Sequence, residues 1–129
     1  MNEEPVFLTR QIVDGLHDAS LRRFSGSPGV RDDGLVESAL GAAINTYLYA
    51  NGDLFDISAA YAFHIAQAQA FVDGNKRTGI GCALTFLALN GIPVKTDDGT
   101  LYEAMIAIAE RRLDKPGLAQ VMRSFFSAP

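Results

Sequence analysis

Apolar side chains recur along this chain at spacings of three and four residues, and nearly every apolar segment places them on one helical face. No segment alternates apolar and polar residues cleanly over the length of a strand. A first helix is predicted over residues 9–24: Thr9 is a good N-cap, Leu8 and Val13 sit in hydrophobic-staple positions, and Ser25-Gly26-Ser27-Pro28-Gly29 is a strong breaker. A second helix opens at Asp32-Asp33 and carries Leu35, Val36, Ala39, Leu40 and Ala43. Residues 46–56 mix Tyr47, Tyr49, Asn51-Gly52 and Phe55. They read as a long connection, with a short hairpin or flap at Asn51-Gly52 as one reading.

A third helix is predicted over 57–70, where Ile57, Ala60, Tyr61, His64, Ile65 and Ala68 share a face. The fourth runs to Leu89 and is apolar nearly all round (Ile80, Cys82, Ala83, Leu84, Phe86, Leu87), which marks a buried central helix. Asn90-Gly91 closes it and Pro93 prevents its resumption. A fifth helix covers 100–112, with Leu101, Met105 and Ile108 inward. The sixth starts near Asp114-Lys115-Pro116 and carries a stripe of Leu118, Val121, Met122, Phe125 and Phe126 that reads as core. The fold class is therefore all-α, a single compact domain over 1–129 with about six helices.

Composition agrees with a packed core: 48% of the residues are hydrophobic and 20% charged. The net charge of −4 argues against a global electrostatic role on nucleic acid. A single cysteine, Cys82, rules out an intrachain disulfide and points to a reducing compartment, read as bacterial cytosol. The acidic start Met1-Asn2-Glu3-Glu4 lacks the features of a signal peptide. The run from Ile80 to Leu89 falls far short of the ~20 residues that cross a bilayer.

One segment carries chemistry. Asp73-Gly74-Asn75-Lys76-Arg77 lies between two apolar helices, so it is a turn feeding a helix N-terminus with unpaired N–H groups and the positive end of the helix dipole. Cations in a first turn are unfavourable by a few tenths of a kcal/mol or more unless an anion sits there. A phosphate would supply it, with Asp73 placed to hold a divalent cation and Gly74 allowing close backbone approach. The residues alone fit a solvated helix cap equally well. The Gly-x-x-x-x-Gly-Lys-(Ser/Thr) pattern of a P-loop is absent.

Phe71-Val72-Asp73-Gly74-Asn75-Lys76-Arg77-Thr78 resembles the signature His-x-Phe-x-(Asp/Glu)-(Gly/Ala)-Asn-(Gly/Lys)-Arg of the Fic/Doc family. The run from Ser27 to Leu40, the Phe7-Leu8 start, the helix through His64 and the end Phe86-Leu87-Ala88-Leu89-Asn90-Gly91 are similar to death-on-curing toxins, so the resemblance covers essentially the whole chain. It implies that Phe71 anchors the loop and Asp73 binds Mg²⁺. It implies that Gly74, Asn75 and Lys76 form the anion-binding turn, that Arg77 holds nucleotide phosphate, and that Thr78 completes the nucleotide site. Lys76 resembles the Doc branch, which transfers the γ-phosphate of ATP to a threonine of elongation factor Tu. The AMP-transferring branch keeps glycine there and a second arginine three residues after the first, where this chain has Ile80. AMP transfer is the alternative activity.

The catalytic histidine of the signature falls at Gln69. A neutral imidazole accepts a proton near pH 7 and an amide does not, and loss of a general base costs about 10²–10⁴-fold in rate. The chain thus reads as a toxin whose phosphotransferase or nucleotidyltransferase chemistry lacks its base. Gln69 reads either as an engineered substitution that allows a lethal toxin to be produced, the favoured reading, or as natural degeneration that leaves an antitoxin-binding module. His64 lies five residues earlier, about 140° round the helix at ~100° per residue, and reads as a core histidine. His17 reads as structural or surface. No inhibitory (Ser/Thr)-x-x-x-Glu-(Gly/Asn) segment is present. The resemblance therefore implies restraint by a separate antitoxin whose C-terminal segment occupies a groove, with no direct nucleic-acid or membrane partner.

Overall fold

A computed structural model of the chain describes residues 4–93 and 95–127. Six helices follow one another: α1 (Arg10–Phe24), α2 (Asp33–Ala50), α3 (Leu54–Ala68), α4 (Asn75–Leu89), α5 (Thr100–Ala109) and α6 (Lys115–Ser127). No strand is present among the described residues; one isolated antiparallel bridge joins Val30 to Phe71.

Local chemistry sets the boundaries. The Thr9 hydroxyl accepts from the Ile12 amide at 3.2 Å, as the N-cap reading requires. Asp32 caps α2 through the Leu35 amide. The long connection expected over 46–56 is corrected. Residues 46–50 are helical, and only Asn51–Asp53 link α2 to α3. Asn51 takes the left-handed conformation that Asn-Gly favours, but as the C-cap of α2 rather than the tip of a hairpin. Asp53 and Asp56 then form a capping box that starts α3 three residues earlier than expected. At the far end α5 stops at Ala109, short of 112, where the chain passes through left-handed Arg111.

One hydrophobic cluster draws on all six helices. α4 lies in it against α1, α3 and α5, and α3 packs against α2, α4, α5 and α6. The α3–α4 approach is close because position 79 is glycine: a Cβ there would lie 2.8 Å from the Ala62 carbonyl oxygen. At the centre Tyr61, Phe86, Ile57, Ile65 and Leu87 are fully buried. The Tyr61 hydroxyl accepts from the Leu8 amide at 3.0 Å, which pins the N-terminal segment onto α3. Arg10 joins α1 to α2 through Asp33 at 2.7 Å and Glu37 at 3.0 Å, while Arg123 joins α6 to Asp53, the N-cap of α3, and to Asp56 in its first turn. No helix of the described residues is long and apolar enough to cross a membrane.

Candidate active site

The loop between α3 and α4 is built by contacts from outside it. α3 ends at Ala68, and Gln69 adopts φ 49°, ψ 41°, a conformation uncommon for a residue with a side chain, which turns the chain sharply out of the helix. The Ala70 carbonyl accepts from the amides of Arg31 at 2.6 Å and Asp32 at 3.1 Å, and the Val72 amide donates to the Gly29 carbonyl at 3.0 Å. The segment before α2 therefore lies along the loop. Asn75 ties the loop from within: its Oδ1 accepts from the Phe71 amide at 3.1 Å and its Nδ2 donates to the Phe71 carbonyl at 3.0 Å.

His17 supports it from α1. Its ring stacks on fully buried Phe71 with centroids 3.9 Å apart, and its Nε2 lies 2.8 Å from the Asp73 carbonyl oxygen. A carbonyl only accepts, so that nitrogen carries the proton. The Asp73 carboxylate is exposed. One oxygen accepts from the Ser27 amide at 2.8 Å, and the other has no hydrogen-bond partner among the described residues. Gly74 turns into α4 at φ 80°, a value that a side chain disfavours, and supplies no side-chain cap. The first-turn amides of α4 thus remain free of a protein side chain.

Lys76 and Arg77 follow in that turn, half-buried, and neither pairs with a carboxylate among the described residues. The Arg77 guanidinium carbon sits 3.9 Å from the ring centroid of Phe24 and 3.9 Å from that of Tyr102. Gln69, Asp73, Gly74, Asn75, Lys76 and Arg77 line one cavity of about 290 Å³, joined by Tyr102. Phe71 and Thr78 do not line it; both are fully buried, and the Thr78 amide closes the first turn of α4 onto the Gly74 carbonyl at 2.9 Å. Larger hollows lie elsewhere; the one of about 630 Å³ between the N-terminal segment and the α2–α3 junction has no lysine or arginine in its lining among the described residues.

His64 stands apart from this cavity, facing α6 with its Nε2 3.0 Å from the Lys115 ammonium. Burial, helped by that charge, pushes its pKa below 6.5. His64 is half-buried at this contact rather than in the core, so the core-histidine reading is corrected to a histidine that meets a neighbour, Lys115, beside it. Ile80 is buried in the core, so α4 brings no second arginine to the cavity from that position. Sequence reasoning did not find Phe24, Ser27 or Tyr102 and gave His17 no part here. His17, Phe24 and Ser27 lie some 46–56 residues before the residues they touch, and no local pattern marks any of the four.

The polar groups fit a nucleotide's phosphates. Two cations without acidic partners and uncapped helix amides converge on a hollow at the low end of the range for small-molecule pockets, about 300–1,000 Å³. No group of three His, Cys, Asp or Glu side chains forms a metal cage among the described residues. One free carboxylate oxygen on Asp73 suits a Mg²⁺ ion shared with phosphate rather than enclosed by protein.

An all-helical fold in which an uncapped, cationic turn opens a buried helix is a recognisable class, and the relatives make it specific. The Fic/DOC family model matches residues 7–87. "Protein kinase doc" of Escherichia phage P1 is 33% identical over 114 residues, covering 88% of this chain and 90% of its own length. "Toxin Doc" of Mycolicibacterium smegmatis is 34% identical over 109 residues, covering 81% and 84% respectively. This chain belongs to the Fic/DOC family.

Proposed function

We propose that this chain is a Doc-type toxin domain whose α3–α4 loop binds Mg-ATP and whose phosphate transfer to a protein hydroxyl is crippled at position 69. The observation that carries the reading is the convergence of Lys76, Arg77 and the uncapped start of α4 on one cavity, with neither cation paired to a carboxylate among the described residues. Arg77 and Lys76 hold phosphate oxygens, the first-turn amides of α4 add neutral donors, and the free oxygen of Asp73 takes the cation. Bound Mg-ATP would supply the transferable phosphoryl group and the ion that offsets its charge. Asn75 acts on this site through the loop, since its side chain is already committed to Phe71.

Gln69 lines the cavity where the family histidine would take the proton of the attacking hydroxyl. Its amide can accept a hydrogen bond from that hydroxyl and align it, but it cannot take the proton. The target class is a serine or threonine hydroxyl on a translation factor, elongation factor Tu being the candidate. The regulator is a separate antitoxin segment, in keeping with relatives named for the Doc toxin. The soluble bacterial cytoplasm is the setting that suits both.

The test uses calorimetry and labelled nucleotide together. Mg-ATP is titrated into the unmodified chain and into Arg77→Ala; binding by the first and its loss in the second is the expected result. Gln69→His should then transfer label from γ-labelled ATP to a protein target and become toxic on expression. Transfer from the α position instead would make the activity AMP transfer. A second reading, a binding module that only captures antitoxin, is favoured by Gln69 itself; it prevails if Gln69→His stays inert while the antitoxin still binds.

A further inference from the structure

The Arg77 side chain lies against two aromatic rings that the family motif does not contain. Its guanidinium carbon lies over two rings, 3.9 Å from the Phe24 centroid and 3.9 Å from the Tyr102 centroid. The three residues come from three elements: Phe24 ends α1, Arg77 belongs to the first turn of α4, and Tyr102 lies in the first turn of α5. The stack therefore exists only because the fold brings both helix ends to the loop.

Tyr102 is held in place. Asp97 accepts from the amides of Gly99 at 3.0 Å and Leu101 at 2.9 Å through one oxygen and from the Tyr102 amide at 3.1 Å through the other, which anchors the start of α5. Phe24 remains 44% exposed, so its position beside Arg77 is not explained by burial in the core. A guanidinium donates only in its plane. With two rings packed against it, Arg77 is best placed to meet an acceptor edge-on, and no carboxylate pairs with it among the described residues.

We propose that Phe24 and Tyr102 are positioning residues that clamp Arg77 flat, so that its edge engages phosphate oxygens in the cavity. The inference rests on the nucleotide reading above and deepens it. Two rings fix the torsions of a long side chain before any ligand arrives, so less freedom is lost on binding. They also shed water from the cation, which strengthens its hydrogen bonds to an anion. Lysine cannot substitute, because an ammonium has neither plane nor fork.

The test has two readouts. In the nucleotide-free protein, the Arg77 Nε–Hε NMR resonance should be displaced by the two ring currents and should move towards the ordinary arginine position in Phe24→Leu and in Tyr102→Leu. In calorimetry with Mg-ATP, each leucine variant should bind about 3–10-fold more weakly, or about 0.7–1.4 kcal/mol, the range of a partly exposed cation–π contact. Tyr102→Phe should rescue both readouts, since the ring and not the hydroxyl does the clamping.

Leucine variants that bind as tightly as the parent, alongside an Arg77→Ala variant that has lost binding, would overturn the clamp and leave the nucleotide reading standing. Arg77→Ala binding Mg-ATP like the parent would instead overturn the nucleotide reading, and the clamp's role with it.

Discussion

Asn75→Ala should unfasten the loop that carries the candidate site. The Asn75 side chain makes two bonds to one residue, 3.1 Å from the Phe71 amide and 3.0 Å to the Phe71 carbonyl, in a half-buried setting. Each bond contributes about 1 kcal/mol net, and a donor or acceptor left unpaired away from water costs about 1–3 kcal/mol. Phe71 is fully buried and stacked on His17, so the ring holds the backbone in place and water reaches the abandoned groups poorly. A loss of about 2–3 kcal/mol follows, or a drop in Tm of roughly 6–12 °C for a domain of this size. Urea unfolding measures it as a lower midpoint at unchanged slope.

Asn75→Asp separates the structural part from the electrostatic one. It keeps the acceptor for the Phe71 amide and places a negative charge at the start of α4, which is favourable by about 0.3–1 kcal/mol. It loses the bond to the Phe71 carbonyl, and its charge opposes phosphate. Asn75→Asp should therefore be more stable than Asn75→Ala yet bind Mg-ATP more weakly than the parent. Asn75→Ala within about 0.5 kcal/mol of the parent, the spread of ordinary surface substitutions, would refute the tie.

Gly79→Ala should destabilise by about 1–3 kcal/mol by thermal melting, because the new methyl meets the Ala62 backbone at 2.8 Å and neither helix can yield alone. His64 titrates below 6.5 in the folded chain, so the unfolded chain binds its proton first as pH falls. Stability from this group is present above pH 6.5 and declines as pH drops below it, and His64→Gln should flatten that part of the urea midpoint–pH curve. Cys82 is buried with its thiol pushed up to about 12, so it should resist thiol reagents in native buffer and label at once in denaturant.

The periodicity of the chain carries the six helices because each buries one face in a common core, and the Asp73–Arg77 turn stands out because its charges interrupt apolar helices. What escaped the sequence is long-range or context-dependent. Asn51-Gly52 announces a left-handed residue, and a helix C-cap uses that conformation as readily as a hairpin does; only the packing of α2 against α3 decides between them. Asp53 and Asp56 look like loop acids until their reciprocal bonds form a capping box. The same limit hides the site's supports. His17, Phe24, Ser27 and Tyr102 lie outside the motif and touch it only after folding. The unfavourable pair of cations at a helix start was legible, but the two rings that help Arg77 to sit there were not.

The α4 turn as a seat for nucleotide phosphates is tested most directly by a crystal structure of the unmodified chain grown with magnesium and a non-hydrolysable ATP analogue. The account places phosphate oxygens within hydrogen-bonding distance of Arg77 and Lys76, and the metal at Asp73. Clear density for the analogue in another hollow, with Lys76, Arg77 and the first amides of α4 left to solvent, would contradict it.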